Sequence, residues 1–207
     1  MSSTNRSKAR DKHLADYYIT PQKPIKSFLK MFCEDEWFEL KDKNILDPCA
    51  WGNLSSINKE TWEIRQANWM SYPTVLKELW ATIVTTNDLR KDSLADNISD
   101  FIEWENISQY DLIITNPPFN IAQNIITKAL ECCKEWWYVI MLLRLNYFGW
   151  KVRQEFWKKN MPIRAYIHNK RIWFTQDWKT DSIEYMHAVW KKGENPKETK
   201  LKLIYDF

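Results

Sequence analysis

Glycine is scarce in this chain: three residues in 207, where average usage near 7% would give roughly 14. Tryptophan runs the other way, with 13. Paired cysteines are also missing. Cys33, Cys49, Cys132 and Cys133 show no C-x-x-C spacing, which argues against a zinc site. The adjacent Cys132-Cys133 is a poor disulfide framework, so reduced thiols in a cytoplasmic protein are expected. His13, His168 and His187 have no ligand spacing, and no metal is expected. No run approaches the roughly 18 apolar residues of a membrane span. Nor does an apolar stretch follow the polar, basic residues 1–12, so no secretory leader is expected. The length suits one α/β domain over 13–207, preceded by a disordered arm over 1–12.

What is present is clear periodicity. Ile25, Phe28, Leu29 and Phe32 recur every three to four residues and predict a helix over 22–40. Asn44-Ile45-Leu46-Asp47 reads as a short buried strand ended by Pro48. Polar residues dominate 53–68 and suggest an excursion or lid. Ser71 as N-cap and Pro73 in the first turn predict a helix over 71–79. The β-branched run 82–86 predicts a strand ending at Asn87-Asp88, and 111–115 another stopped by Pro117-Pro118. A helix follows with Ile121, Ile125, Ile126, Ala129 and Leu130 on one face. The almost uninterrupted apolar stretch 138–145 predicts a central strand covered on both faces. Later strands are expected near 165–168, 184–190 and 201–205. The alternation predicts an α/β fold: a mainly parallel central sheet with helices on both faces.

The net charge of +3 is too small to establish a nucleic-acid partner. Its distribution says more. Lys151, Arg153, Lys158, Lys159, Arg164, Lys170 and Arg171 stand against the single acid Glu155, interleaved with Phe156, Trp157, Tyr166 and His168. Such a stretch suits phosphates and unstacked bases; a solvated helix face reads the same way.

The most informative segment is Asp111-Leu112-Ile113-Ile114-Thr115-Asn116-Pro117-Pro118-Phe119. A buried strand delivers Asn116 to the carboxyl edge of a parallel sheet, where ligands of open α/β sheets bind. Two prolines keep the backbone out of a continuing ladder or helix, and an aromatic ring follows. This segment resembles the catalytic motif of amino-methyltransferases. From about Asp11 to Lys192 the chain resembles the short adenine-N6 DNA methyltransferases of phages and bacterial genomes. Asp16-Tyr17-Tyr18-Ile19-Thr20-Pro21 resembles their N-terminal cofactor motif, and Asp47-Pro48-Cys49-Ala50-Trp51-Gly52-Asn53 their D-P-x-x-G-x-G loop. Asp88-Leu89-Arg90 stands where the family places a ribose-binding acid, and Asp100-Phe101 where it receives the adenine ring.

The resemblance implies a Rossmann-like class I methyltransferase fold with S-adenosylmethionine as cofactor. Tyr18, Thr20, Pro21, Asp47, Cys49, Gly52, Asp88, Leu89, Asp100 and Phe101 would bind it, and Asn116, Pro117, Pro118 and Phe119 would be catalytic. For Asp100 a turn-capping role reads equally well. The implied partner is DNA, met by the excursion 53–70 and the basic-aromatic region 146–182; segments 142–148 and 170–175 also resemble family segments near the target strand, and 177–182 a later loop. The same motif serves methylation of RNA or of a protein glutamine amide, and a catalytically inactive nucleic-acid-binding homologue is the alternative from another class.

The pattern breaks at tryptophan. Trp51 stands where the cofactor loop normally has glycine, and Trp136, Trp137, Trp150 and Trp178 also occupy glycine-like positions, whereas Trp157 and Trp190 look like family tryptophans. Excess of one residue mirrors deficit of the other. This predicts that some tryptophans correspond to UGA codons that the source organism reads as glycine; a diverged, inactive homologue is the competing explanation.

Overall fold

The computed structural model describes residues 19–52, 56–57, 64–65, 69–105, 109–149, 151–172, 174 and 183–205. The expected arm 1–12, Tyr18, Trp150, Trp178 and most of the excursion 53–70 lie outside the described residues.

Chain order runs α1 (Gln22–Glu36), β1 (Asn44–Asp47), β2 (Ser56–Ile57), β3 (Ile64–Arg65), α2 (Ser71–Glu78), β4 (Ile83–Asp88) and β5 (Asn97–Ile98). Then come β6 (Tyr110–Thr115), α3 (Ala122–Cys132), β7 (Cys133–Arg144), α4 (Gln154–Lys159), β8 (Arg164–His168), β9 (Tyr185–Lys191) and β10 (Lys200–Ile204). Eight strands form one sheet in the order β10-β8-β9-β7-β6-β1-β4-β5, and β2 pairs with β3 separately. Within the large sheet only β9 runs antiparallel, against both β7 and β8; the sheet's remaining pairs are parallel, and β2 and β3 pair antiparallel. The expected mainly parallel α/β sheet is what forms.

Period-two alternation sorts the core into two layers. Ile45, Leu112, Ile114 and Ile140 face α1 and α2. Leu46, Ile113, Val139, Met141 and Leu143 face α3. Helix α1 contributes Ile25, Phe28, Leu29 and Phe32, all fully buried, each worth roughly 1.5–3 kcal/mol of burial. Phe28 stacks on the imidazole of His187 with centroids 3.9 Å apart. That imidazole hydrogen-bonds the Tyr72 hydroxyl at 2.9 Å and His168 at 2.8 Å. Burial pushes the pKa of His168 down to about 4 and that of His187 well below its ordinary range. The pair is therefore neutral core structure.

Left-handed backbone marks the element ends. Helix α1 stops at Glu36 rather than 40 because Trp37 turns to φ 52°, so that the Phe38 N–H closes on the Cys33 carbonyl at 3.0 Å. Trp80, at φ 72°, closes α2 in the same way, with the Ala81 N–H on the Leu76 carbonyl at 3.0 Å. These are Schellman closures, whose left-handed residue is usually glycine. Strand β7 starts five residues before the expected position. The extra length is irregular: Tyr110 pairs with Cys133 but Leu112 with Tyr138, and Trp136 within that interval has φ 69°. A left-handed backbone costs a residue with a Cβ about 1–2 kcal/mol. Trp137 departs from expectation. It takes no left-handed backbone, and its ring packs edge-on against Phe38 at 5.9 Å, so nothing in its backbone calls for glycine.

Candidate active site

From β1 the chain proceeds to β4 and β5 on one side, then returns to β6 on the other side of β1. The sheet order therefore reverses between β1 and β6, and the crevice at their carboxyl ends is where open α/β sheets bind ligands. Pairing of Leu46 with Ile113 brings Asp47 and the Thr115-Asn116 step to that crevice. Asp47 also pairs with Thr86, so Asp88 lies two residues further along β4 on the same edge.

Asp47 is fully buried. Its Oδ1 accepts the Cys49 N–H at 3.2 Å, while Oδ2 has no hydrogen-bond partner. Burial pushes its pKa from 3.8 up to about 7; the Thr115 hydroxyl and the Cys49 amide oppose the rise, and the charge of Asp88 adds to it. Asp88 is nearly buried and well supplied with donors. Its Oδ1 accepts from the Arg90 backbone N–H at 2.8 Å and from Arg90 Nε at 3.3 Å, and its Oδ2 from the Trp51 N–H at 2.9 Å. Arg90 then spans to the carbonyls of Trp51 and Gly52 at 3.3 and 3.0 Å. The loop after β1 is thus tied to the end of β4 by one acid and one guanidinium.

Across the crevice Asn116 is buried, and its Nδ2 donates to Thr20 Oγ1 at 3.1 Å. This bond joins the Thr20-Pro21 segment to the Asn116 turn, although 96 residues separate them. Phe119 is also buried. Its ring sits 5.8 Å from that of Tyr185, and the Arg144 guanidinium lies over it at 4.7 Å. Cys49 is a buried thiol that burial holds well above its ordinary pKa, and its carbonyl accepts from the Thr115 hydroxyl at 3.4 Å. Leu89 is exposed. Asp100 caps the short 3₁₀ turn Phe101–Glu103 by accepting the Ile102 N–H at 2.9 Å, and Phe101 packs edge-on against Trp104 at 5.3 Å.

Trp51 joins the two sides. Its amide bonds Asp88, and its indole N–H donates to the Asn116 carbonyl at 2.6 Å. Its own backbone is left-handed at φ 61°, and the side chain is buried. The acid of β4 and the asparagine that follows β6 therefore stand one indole apart, with the ring filling the interval between them.

The basic stretch divides. Arg164, at the start of β8, pairs with Glu36 on the edge opposite the crevice. Arg153 packs over the Tyr147 ring at 3.6 Å. Lys170 and Arg171 follow the carboxyl end of β8, on the crevice edge, where Arg171 meets Glu184 at 3.2 Å. It is not one continuous cationic face. Sequence reasoning gave no role to Arg90, Arg144 or Tyr185. Arg90 was visible beside Asp88, but nothing local ties Tyr185 to Phe119.

No family model and no curated protein matches the sequence. Solved structures do. A protein of Pyrococcus horikoshii described as an RNA methyltransferase superposes with TM-score 0.63 at 16% identity, over 89% of this chain and 91% of its own. The type IIG restriction endonuclease BpuSI gives 0.60 at 10% identity, over 89% of this chain but 27% of its own. A class I S-adenosylmethionine-dependent methyltransferase described from Listeria monocytogenes gives 0.56 at 13% identity, over 90% and 65%. The chain thus spans under two thirds of the last two. At these identities the likeness shows the fold, which is the Rossmann-like class I methyltransferase fold.

Proposed function

We propose that the protein transfers a methyl group from S-adenosylmethionine to the N6 amine of adenine in DNA. The observation that carries this reading is the Asn116-Pro117-Pro118-Phe119 turn, which leaves β6 at the switch point of the sheet, one indole away from Asp88. When bound, the cofactor supplies an electrophilic methyl group. The acids suit it. The buried Asp47 oxygen without a partner fits an ammonium, and Asp88 suits ribose hydroxyls. Tyr18, Thr20, Pro21, Cys49, Gly52, Leu89, Asp100 and Phe101 complete the proposed set. The Trp51 indole does not suit it, because the ring occupies the interval between Asp88 and Asn116.

At the target end, the N6 lone pair of adenine is delocalised into the ring, so the amine is a weak nucleophile. The Asn116 side-chain oxygen and the Pro117 carbonyl accept its two N–H bonds and favour the tetrahedral nitrogen that attacks. Phe119 replaces the stacking lost by a base turned out of the duplex. No strong base is needed, because the nitrogen sheds its proton readily once it has become cationic. Lys170 and Arg171, next to the crevice, suit phosphates. The likeness to BpuSI is compatible with DNA as the substrate, and that to the P. horikoshii protein makes RNA the arm to test.

The test is transfer of a labelled methyl group from the cofactor by the Trp51→Gly protein, offered DNA, RNA or protein. Label recovered as N6-methyladenine from DNA is expected. Label in RNA or in glutamine alone would replace the substrate, and a protein that binds DNA without binding cofactor would be the inactive homologue.

A further inference from the structure

Six described residues have left-handed backbone: Trp37, Asp42, Trp51, Trp80, Trp136 and Gly193. Four of the six are tryptophan, a β-carbon-bearing aromatic that this region disfavours, and glycine is the residue that enters it freely. Their surroundings repeat the message. Trp37 and Trp80 close helices at the position where glycine prevails, and both residues are largely exposed, at 94% and 81%. Trp136 sits in an irregular step of β7, its N–H on the Lys192 carbonyl at 3.0 Å and its ring 62% exposed. Left-handed residues of this kind in strand irregularities are usually glycine.

Other tryptophans behave oppositely. The indole N–H of Trp190 donates to the Asn160 carbonyl at 2.8 Å, and that of Trp104 to Ser99 Oγ at 2.8 Å. Trp157 is buried against Phe148 and Phe156. None of the three has left-handed backbone.

From this division we infer that positions 37, 51, 80 and 136 are glycine in the functional protein, their codons being UGA read as glycine, and that 104, 157 and 190 are true tryptophans. Backbone geometry chooses the set: it adds Trp37 and Trp80 to those the motifs suggested and removes Trp137. Position 51 gives the assignment a functional consequence, resting on the methyltransferase reading. Glycine keeps the amide that Asp88 accepts and deletes the indole lying between Asp88 and Asn116, so the tryptophan chain is a shut form of the cofactor site.

Two measurements separate these claims. The first compares melting temperatures of Trp→Gly and Trp→Ala variants at 37, 80 and 136. Both remove the ring, and only glycine relieves the backbone. Each glycine variant should melt about 2–8 °C above its alanine counterpart, whereas Trp190→Gly should melt below the parent. Equal melting of the glycine and alanine variants, or UGG codons at these positions in the source gene, overturns the assignment. The second is calorimetric titration of S-adenosylmethionine into the parent and the Trp51→Gly protein, with binding expected only in the latter. Glycine variants that gain stability alongside a Trp51→Gly protein that binds no cofactor leave the assignment standing and overturn the methyltransferase reading.

Discussion

The two sides of the crevice are built differently. On the β1–β4 side, one acid and one arginine tie a loop together through backbone groups: Asp88 holds the amides of Trp51 and Arg90, and Arg90 holds the carbonyls of residues 51 and 52. On the β6–β7 side, side chains from distant parts of the chain gather around one ring: Phe119 with Arg144 and Tyr185, and Asn116 with Thr20. A backbone-built half recognises fixed polar groups and needs short local motifs. A half built from side chains presents a flat face with a cation, and suits a planar target. The comparison predicts that damage to the second half falls on turnover and target binding, and damage to the first on cofactor affinity alone.

The largest expected effect tests that separation. In the Trp51→Gly background, Asn116→Ala should lower single-turnover methylation about 10²–10³-fold, the usual loss for one oriented acceptor or donor in a preorganised site. Cofactor affinity by calorimetry should fall far less, by no more than the roughly tenfold expected from losing the hydrogen bond that holds Thr20. If affinity falls as far as the rate, the two halves are one unit and the comparison breaks. Next comes Asp88→Asn. A charge-assisted hydrogen bond is worth about 1.5–3 kcal/mol, so cofactor affinity should fall roughly 10- to 150-fold. The rate at saturating cofactor should be preserved.

Legibility in the sequence follows the same division. The order of elements, the parallel sheet and the position of Asn116 at a strand end were readable because they rest on local periodicity and on proline stops. Asp47 and Asp88 were readable because each ends a strand. The excess length of β7 was not, since its first residues are polar and its irregular step depends on Trp136 and Lys192 meeting across strands. The end of α1 was misjudged because a tryptophan closes it, a residue that carries no stop signal. Tyr185, 66 positions beyond Phe119, reaches it only through the antiparallel pairing of β9 with β7. The basic stretch read as one feature, yet the turn through α4 sends Arg164 to the opposite edge.

Phe119 sharpens the aromatic half. Base–aromatic stacking contributes about 1–3 kcal/mol per base, so Phe119→Ala should raise KM for DNA about 5- to 150-fold. Phe119→Trp should keep most of the affinity, because any flat ring can stack. Equal losses in both variants would mean that the ring packs on Tyr185 and Arg144 and never meets a base. Melting curves of the two variants separate that outcome from misfolding.

The smallest effect is the most specific to the acid half. The Asp47 carboxyl, pushed from 3.8 up to about 7 by burial, keeps a proton in the folded protein over a range where the unfolded chain has lost it. Its contribution to stability is therefore full below pH 3.8 and is lost as the pH rises to about 7. Asp47→Asn should accordingly melt above its parent at pH 8 and level with it at pH 3.5. Cofactor binding runs the other way. An ammonium on Asp47 favours the charged carboxylate, so binding releases the proton. In the Trp51→Gly protein affinity should rise up to about tenfold per pH unit and level off above about 7, and adding Asp47→Asn should flatten that slope. A Trp51→Gly protein whose affinity ignores pH between 5 and 7 would show that the ammonium sits elsewhere. The partnerless oxygen of Asp47 would then be a cost carried by the fold rather than a place kept for a ligand.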